Sequence, residues 1–302
     1  MNVLVAVLTS HDINRLERAL KSIEEQHAGS YDFNYEILIL VNTTDPGYYS
    51  KVCSRFRKSG YNIIQTKSNG FPGKGRNSVI DFFVTLENTT HLILLDGDDF
   101  FYPTAFKRIQ ECINQGADVL GILLNDWVAD FKKESSYIPI EIKKDRWLYT
   151  WGPNQFDHYE SHTYDKLFTP PSIAQNYARI VMISKKACSS PLRPYYPEDL
   201  PLSEDYIANL WALAGMLFGE YNYFTTSVSD IYVYDFTNDQ SVMHQYRKKS
   251  GFGNTDYDKI FMSNCRILQK ILSVGLSSVP FIHIKDVILA NDKKLEFLKE
   301  SV

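Results

Sequence analysis

Val3-Leu4-Val5-Ala6-Val7-Leu8, followed after Thr9-Ser10-His11 by Asp12-Ile13-Asn14-Arg15-Leu16-Glu17-Arg18-Ala19-Leu20-Lys21-Ser22-Ile23, decides the fold class. The first six residues are an unbroken apolar run rich in valine, the pattern of a strand buried on both faces of a parallel sheet. Parallel strands need helical crossovers, and the next segment supplies one. Asp12 is a good N-cap, and Ile13, Leu16, Leu20 and Ile23 recur at helical spacing. Arg15, Glu17, Arg18 and Lys21 fill the opposite face, which is expected to meet solvent.

The alternation continues along the chain. Strands are predicted over 36–41, 62–66 and 91–95, with helices within 48–58 and over about 76–86. Right-handed βαβ units then give an α/β fold with a doubly wound, mostly parallel sheet across the first half. Pro103 suits a first helical position, with Phe106, Ile109 and Ile113 as the apolar stripe and Gly116 just past the end. A fifth strand is predicted over 118–124. From Asn125 to about Pro171 the periodicity fails among Trp127, Trp147, Trp151 and many Tyr, Phe and Pro residues, so irregular structure is expected. Ser203 can cap a helix that turns Ile207, Leu210, Trp211, Ala214 and Phe218 inward and ends at Gly219. Aromatic strands near 221–225 and 231–236 follow, and a helical pattern begins at about Tyr257.

With 302 residues the chain fits one large α/β domain with additions. A net charge of −4 with 44% hydrophobic residues excludes disorder, fibrous repeats and a polybasic nucleic-acid coat. Cys53, Cys112, Cys188 and Cys265 form no CxxC pair and read as buried free thiols. Met1 leads straight into the first strand with no leader pattern, and no apolar run approaches the about 18 residues that span a bilayer. A cytoplasmic location is therefore expected.

Three features carry chemistry. His91-Leu-Ile-Leu-Leu-Asp96-Gly97-Asp98-Asp99 ends an apolar strand with three carboxylates in four positions, where open α/β sheets bind ligands. Carboxylates this close repel unless a cation neutralises them, and oxygen ligands suit Mn2+ or Mg2+. The other reading is a solvated turn in which Asp98 or Asp99 caps the next helix. Glu204-Asp205 stands in the first turn of the helix after Ser203; it either complements the helix dipole or supplies a general base. Ser68-Asn69-Gly70-Phe71-Pro72-Gly73-Lys74-Gly75-Arg76-Asn77 matches neither GxGxxG nor GxxxxGK[ST]. It reads as a flexible loop that brings Lys74 and Arg76 to a helix N-terminus, either for a diphosphate or as a plain strand-to-helix turn.

Taken together and in this order, Val7-Leu-Thr-Ser-His11, Arg15-Leu-Glu-Arg-Ala-Leu-Lys-Ser-Ile23, Glu36-Ile-Leu-Ile-Leu-Val-Asn42, Gly73-Lys-Gly-Arg-Asn77, Leu95-Asp-Gly-Asp-Asp-Phe100 and Ser203-Glu-Asp-Tyr206 resemble the family-2 glycosyltransferases of the GT-A fold, over roughly residues 1–240. The resemblance implies an inverting, metal-dependent hexosyl transfer from a nucleoside diphosphate sugar, UDP favoured, to a hydroxyl of a glycan. It implies a donor site at Thr9, Asn42, Lys74, Arg76, Asp96 and Gly97, a metal on Asp98, and Asp205 as base with Glu204 beside it. The chain departs from the family twice. Asn42 stands where many members place an Asp toward the nucleobase. Asn238 stands where many place a His, which leaves His244 as the nearest candidate metal ligand.

On this resemblance the chain divides into a nucleotide-sugar-binding half (1–124), an acceptor-binding and catalytic half (125–245) and a helical C-terminal extension (246–302). Residues 147–164 interleave aromatic rings with polar groups, a pairing that suits sugar faces and hydroxyls, so Trp151, His158 and Tyr159 are expected at the acceptor. His158 and His162 could instead grip zinc from a helix, although they do not form HExxH. The implied partners are the donor and a glycan acceptor, with no nucleic acid, no transmembrane segment and at most peripheral membrane contact. Other readings are a non-catalytic nucleotide-sugar or glycan-binding protein on the same scaffold, and a sugar nucleotidyltransferase. The latter is disfavoured because Thr9-Ser-His-Asp12 lacks its glycine-rich loop.

Overall fold

The computed structural model describes residues 1–123, 127–128, 178–198, 204–217, 219–226 and 230–235. Strand β1 (Asn2–Thr9) lies between β2 (Asn34–Val41) and the strand His91–Asp96, parallel to both. Val5 sits opposite Ile37 on one side and Ile93 on the other. The period of two then builds two core layers. Val3, Val5 and Val7 face helix α1 (Ile13–Glu24), through Leu16, Leu20 and Ile23. Leu4 and Ala6 face the helix Pro72–Thr85, through Val79, Ile80 and Phe83. A strand buried on both faces has no polar alternation, which is why its sequence is unbroken hydrophobe.

In chain order the elements after β2 are α2 (Pro46–Phe56), β3 (Asn62–Gln65), α3 (Pro72–Thr85), β4 (His91–Asp96), β5 (Phe100–Phe101), α4 (Ala105–Asn114), β6 (Val119–Leu123), β7 (Trp127–Val128), β8 (Ala178–Ser184), α5 (Lys185–Ser189), α6 (Glu204–Leu217), β9 (Tyr223–Thr226) and β10 (Tyr232–Asp235). The large sheet runs β3-β2-β1-β4-β8-β6-β9. It is mostly parallel; only β8 runs against its neighbours β4 and β6. A small sheet, β5-β10-β7, shares a core cluster with it through Phe101 and Tyr232.

Several sequence expectations need correction. The strand expected over 118–124 is β6, and β8, a strand that sequence patterning missed, lies between it and β4. Helix α3 begins at Pro72 rather than near Arg76, so the supposed flexible loop is largely its first turn. Gly73 is needed there because a Cβ would lie 2.0 Å from Pro197 O. Pro103 precedes α4 rather than starting it: Ala105 N–H closes a turn onto Tyr102 O, and Thr104 Oγ1 bonds Asp230 O instead of capping the helix. Neither Asp98 nor Asp99 caps α4, whose N-cap position is held by Thr104 without a side-chain bond to the helix.

Asp12 does cap α1, with Oδ1 accepting from Asn14 N–H at 3.1 Å and Arg15 N–H at 3.2 Å. Gly116 ends α4 at φ +96° and Gly219 follows α6 at φ +72°, both in the left-handed region. Arg15 and Arg18 do not face solvent as the helical pattern suggested. Both reach the buried carboxylate of Asp235, and Arg18 also stacks on Phe100. Cys188 is buried, while Cys53 and Cys112 are half-buried and all three are free thiols. Among the described residues no helix is long and apolar enough to cross a membrane. Ser203, Cys265, the C-terminal extension and nearly all of the 125–171 stretch lie outside the described residues.

Candidate active site

The acidic turn Asp96-Gly97-Asp98-Asp99 leaves the carboxyl end of β4 beside the end of β1. Gly97 N–H donates to Leu8 O at 2.7 Å, and a Cβ on Gly97 would lie 3.0 Å from both Leu8 O and Thr9 Cβ. Glycine is therefore the residue that lets the turn lie flat on β1. One carboxylate oxygen from each of Asp96, Asp98 and Asp99 falls within 4.8 Å of the others, an all-oxygen set suited to a hard divalent cation. Asp96 Oδ1 is buried and has no hydrogen-bond partner among the described residues. Burial and then the charge of Asp98 push the Asp99 carboxyl well above the usual range. A vacant buried acceptor among repelling carboxylates fits a cation.

The second acidic pair opens α6. Glu204 and Asp205 are both buried, and Arg76 from α3 turns inward to meet them. Arg76 Nε lies 3.2 Å from Asp205 Oδ1 and 3.5 Å from Glu204 Oε1, and Nη2 reaches Asp96 Oδ2 at 3.0 Å. Burial alone would raise the Asp96 carboxyl, but the Arg179 and Arg76 guanidiniums outweigh it and hold Asp96 below its ordinary value. Glu204 has the opposite balance: burial, then the neighbouring Asp205 charge, push it up to about 8. Buried charges survive only where they are paired, and this interior alternates acid with arginine.

Arg179, at the start of β8, carries the alternation onward to Asp99, and Tyr232 hydroxyl also donates to Asp99. Asp235 N–H donates to Asp99 Oδ1 at 2.9 Å, and Asp235's own carboxylate takes Arg15 and Arg18. The acidic turn is thus gripped from α1, α3, β8 and β10.

Thr9 is buried beneath the turn, with Oγ1 2.6 Å from Tyr48 hydroxyl. Asn42 ends up against α3: its Nδ2 donates to Phe71 O at 2.9 Å, while Oδ1 is buried without a partner among the described residues. Lys74 stands apart, paired with Glu198 at 2.9 Å. The structure brings Thr9, Asn42, Arg76, Asp96, Gly97, Asp98, Glu204 and Asp205 to one end of the sheet. Trp151, His158, Tyr159, His162, Asn238 and His244 lie outside the described residues. Motif reading missed Arg179, Tyr232 and Asp235; the only local signal for the strand that carries Arg179 is the short apolar run Ile180-Val-Met-Ile183.

The family model described as glycosyl transferase family 2 matches residues 3–166, more than half of the chain. The chain belongs to glycosyl transferase family 2. It is accordingly an enzyme, a glycosyltransferase with the GT-A fold that the sequence implied. A structure of S. aureus TarS 1–349 in complex with UDP-GlcNAc aligns with a TM-score of 0.61 at 16% identity, covering 98% of this chain and 72% of that one. A structure of S. aureus TarS aligns at 0.51 and 17%, covering 93% and 44%. Identities this low describe a shared fold. No curated protein matched the sequence.

Proposed function

We propose that this glycosyltransferase takes its sugar from a nucleoside diphosphate donor, UDP favoured, and moves it with inversion to a glycan hydroxyl. The observation that carries the reading is the meeting of two acidic groups from distant parts of the chain, Asp96 to Asp99 and Glu204-Asp205, on shared arginines at the carboxyl end of the sheet. The fold likeness to S. aureus TarS, solved in complex with UDP-GlcNAc, supports the same donor class.

Asp98, with Asp96 and Asp99 beside it, would hold Mn2+ or Mg2+; when bound, the cation supplies positive charge beside the departing diphosphate. Asp205 accepts the proton of the acceptor hydroxyl as its oxygen attacks the anomeric carbon opposite the leaving group. Asn42 Oδ1 has no donor among the described residues, which favours a base presenting an imide N–H, as uracil does, over cytosine. Thr9 and Gly97 form the floor beneath the donor. Lys74 exchanges Glu198 for a phosphate, and Arg76 acts from behind by holding Asp96 and Asp205. His244 as a further metal ligand, and Trp151, His158 and Tyr159 at the acceptor, complete the assignment from sequence. It keeps donor binding in 1–124, the base and acceptor in 125–245, and the extension in 246–302.

Titration of the protein with UDP, GDP, CDP and ADP, each with and without Mn2+, tests the reading. Mn2+-dependent binding with UDP tightest is expected; no nucleotide binding in the presence of Mn2+ would overturn it.

A further inference from the structure

Arg179 belongs to no family motif quoted above, yet its guanidinium is engaged by two aromatic rings and at both terminal nitrogens. The Tyr232 and Tyr234 rings lie 5.3 and 5.5 Å from its Cζ. Nη1 donates to Asp96 Oδ2, to Asp99 Oδ2 at 3.2 Å and to Tyr232 hydroxyl at 2.7 Å. Nη2 donates to Asp205 Oδ2 at 3.3 Å. The side chain is 9% exposed. One rigid plane therefore joins the first carboxylate of the acidic turn to the carboxylate at the start of α6. Arg76 approaches that same carboxylate from α3, with Nε 3.2 Å from Oδ1, so both Asp205 oxygens rest on guanidinium groups.

A general base works only when its lone pair is held at a fixed place relative to the reacting carbon, and small displacements are costly in rate. We infer that Arg179 is a positioning residue for the transfer reaction, fixing Asp205 against the acidic turn so that base and donor keep one separation. The inference rests on the assignment of Asp205 as base. It also explains why the residue is arginine. A planar fork can give separate nitrogens to Asp96 and Asp205, whereas a lysine ammonium is a single point that cannot span both.

The test is a double-mutant cycle on the full chain, using R179K, D205N and R179K/D205N. UDP release is followed with UDP-glucose, UDP-galactose and UDP-N-acetylglucosamine in Mn2+, with water as acceptor, and binding of UDP with Mn2+ is measured alongside. R179K should keep its UDP affinity within about threefold and lose roughly tenfold or more in kcat, a split that general loosening of the fold would not give. In the D205N background the same change should cost no more than about threefold further, because the group it positions is gone. Losses that multiply, or a parental kcat in R179K, overturn the inference. A parental rate in D205N sinks the base assignment itself and this inference with it. Should R179K fail to fold, Y234L removes one of the two rings stacked on the Arg179 guanidinium while Arg179 itself stays in place, and it must show the same kcat-against-affinity split, milder in size; unchanged kcat in a folded Y234L overturns the inference.

Discussion

Arg76 Nε lies 3.2 Å from Asp205 Oδ1 in an interior where each side chain keeps 4% of its surface exposed. The shape-conserving neutral replacement for a carboxylate so placed is an amide, whose oxygen still accepts from one of the two guanidiniums that hold Asp205. Asp205→Asn should leave binding of UDP with Mn2+ nearly unchanged and lower turnover by roughly 10²-fold or more, as loss of a general base does. Steady-state kinetics on the purified variant decide it, and a parental rate would shift the role to Glu204.

Asp96 and Asp98 are both partly exposed, Asp96 is gripped by two arginines, and Asp99 is fully buried. Asp98→Ala removes one of the three carboxylates whose oxygens converge in the turn. Mn2+-linked UDP affinity should fall by about an order of magnitude or more in calorimetric titration. Equal affinity of variant and parent in excess Mn2+ would remove Asp98 from the metal site.

Glu204 connects the site to stability. Its carboxyl is raised from 4.5 to about 8 in the folded chain, so between those values the folded state holds a proton that the unfolded state has lost. Stability from this group is fully present below about pH 4.5 and declines as pH rises toward 8, by up to about 1.4 kcal/mol per pH unit. Glu204→Gln keeps the shape and cannot ionise. Urea denaturation across pH 5 to 9 should show the parent weakening relative to the variant; parallel curves would refute the assignment.

Gly73 tests the packing of α3. Glycine to alanine inside a helix ordinarily gains about 1 kcal/mol. Here the added methyl would meet Pro197 O at 2.0 Å and Tyr196 O at 3.2 Å, backbone atoms that Asn77 holds through Tyr196. Gly73→Ala should therefore destabilise the protein by roughly 1–3 kcal/mol, the usual cost of overpacking. A rise in melting temperature would show that the 195–198 segment yields freely.

What the sequence made legible follows from range. Val3 to Leu8 and Asp12 to Ile23 declare themselves because burial on two faces and helical amphipathicity are local patterns, and Asp12 caps its helix as its position implied. Asp96, Asp98, Glu204 and Asp205 could be picked out because acids at strand and helix ends are conspicuous. Arg15 and Arg18 were misjudged as solvent-facing because the partner that buries them, Asp235, is more than two hundred residues away. Arg179 shows the same limit: a lone arginine beginning a short apolar strand has no periodic signature, and its partners Asp96, Asp99 and Asp205 are distant in sequence. The cations of the Gly73 to Asn77 segment looked available for an anion because their carboxylate partners come from other parts of the chain.

The insertion of β8 between β4 and β6 has a consequence for how the protein matures on the ribosome. Strands β1 to β4 can pair as soon as residue 96 has emerged, since each finds its neighbour within that span. Strand β6 must wait, because its link to β4 runs through residues 178–184, synthesised well after it. That late strand carries Arg179, and Asp205 and Asp235 arrive later still. The acidic turn at the end of β4 therefore precedes in synthesis the β8 and β10 residues that grip it, and its surroundings are complete only once residue 235 has emerged. Non-local closure of this kind is slow, so the arrival of residues 178–184 sets when the large sheet can be completed.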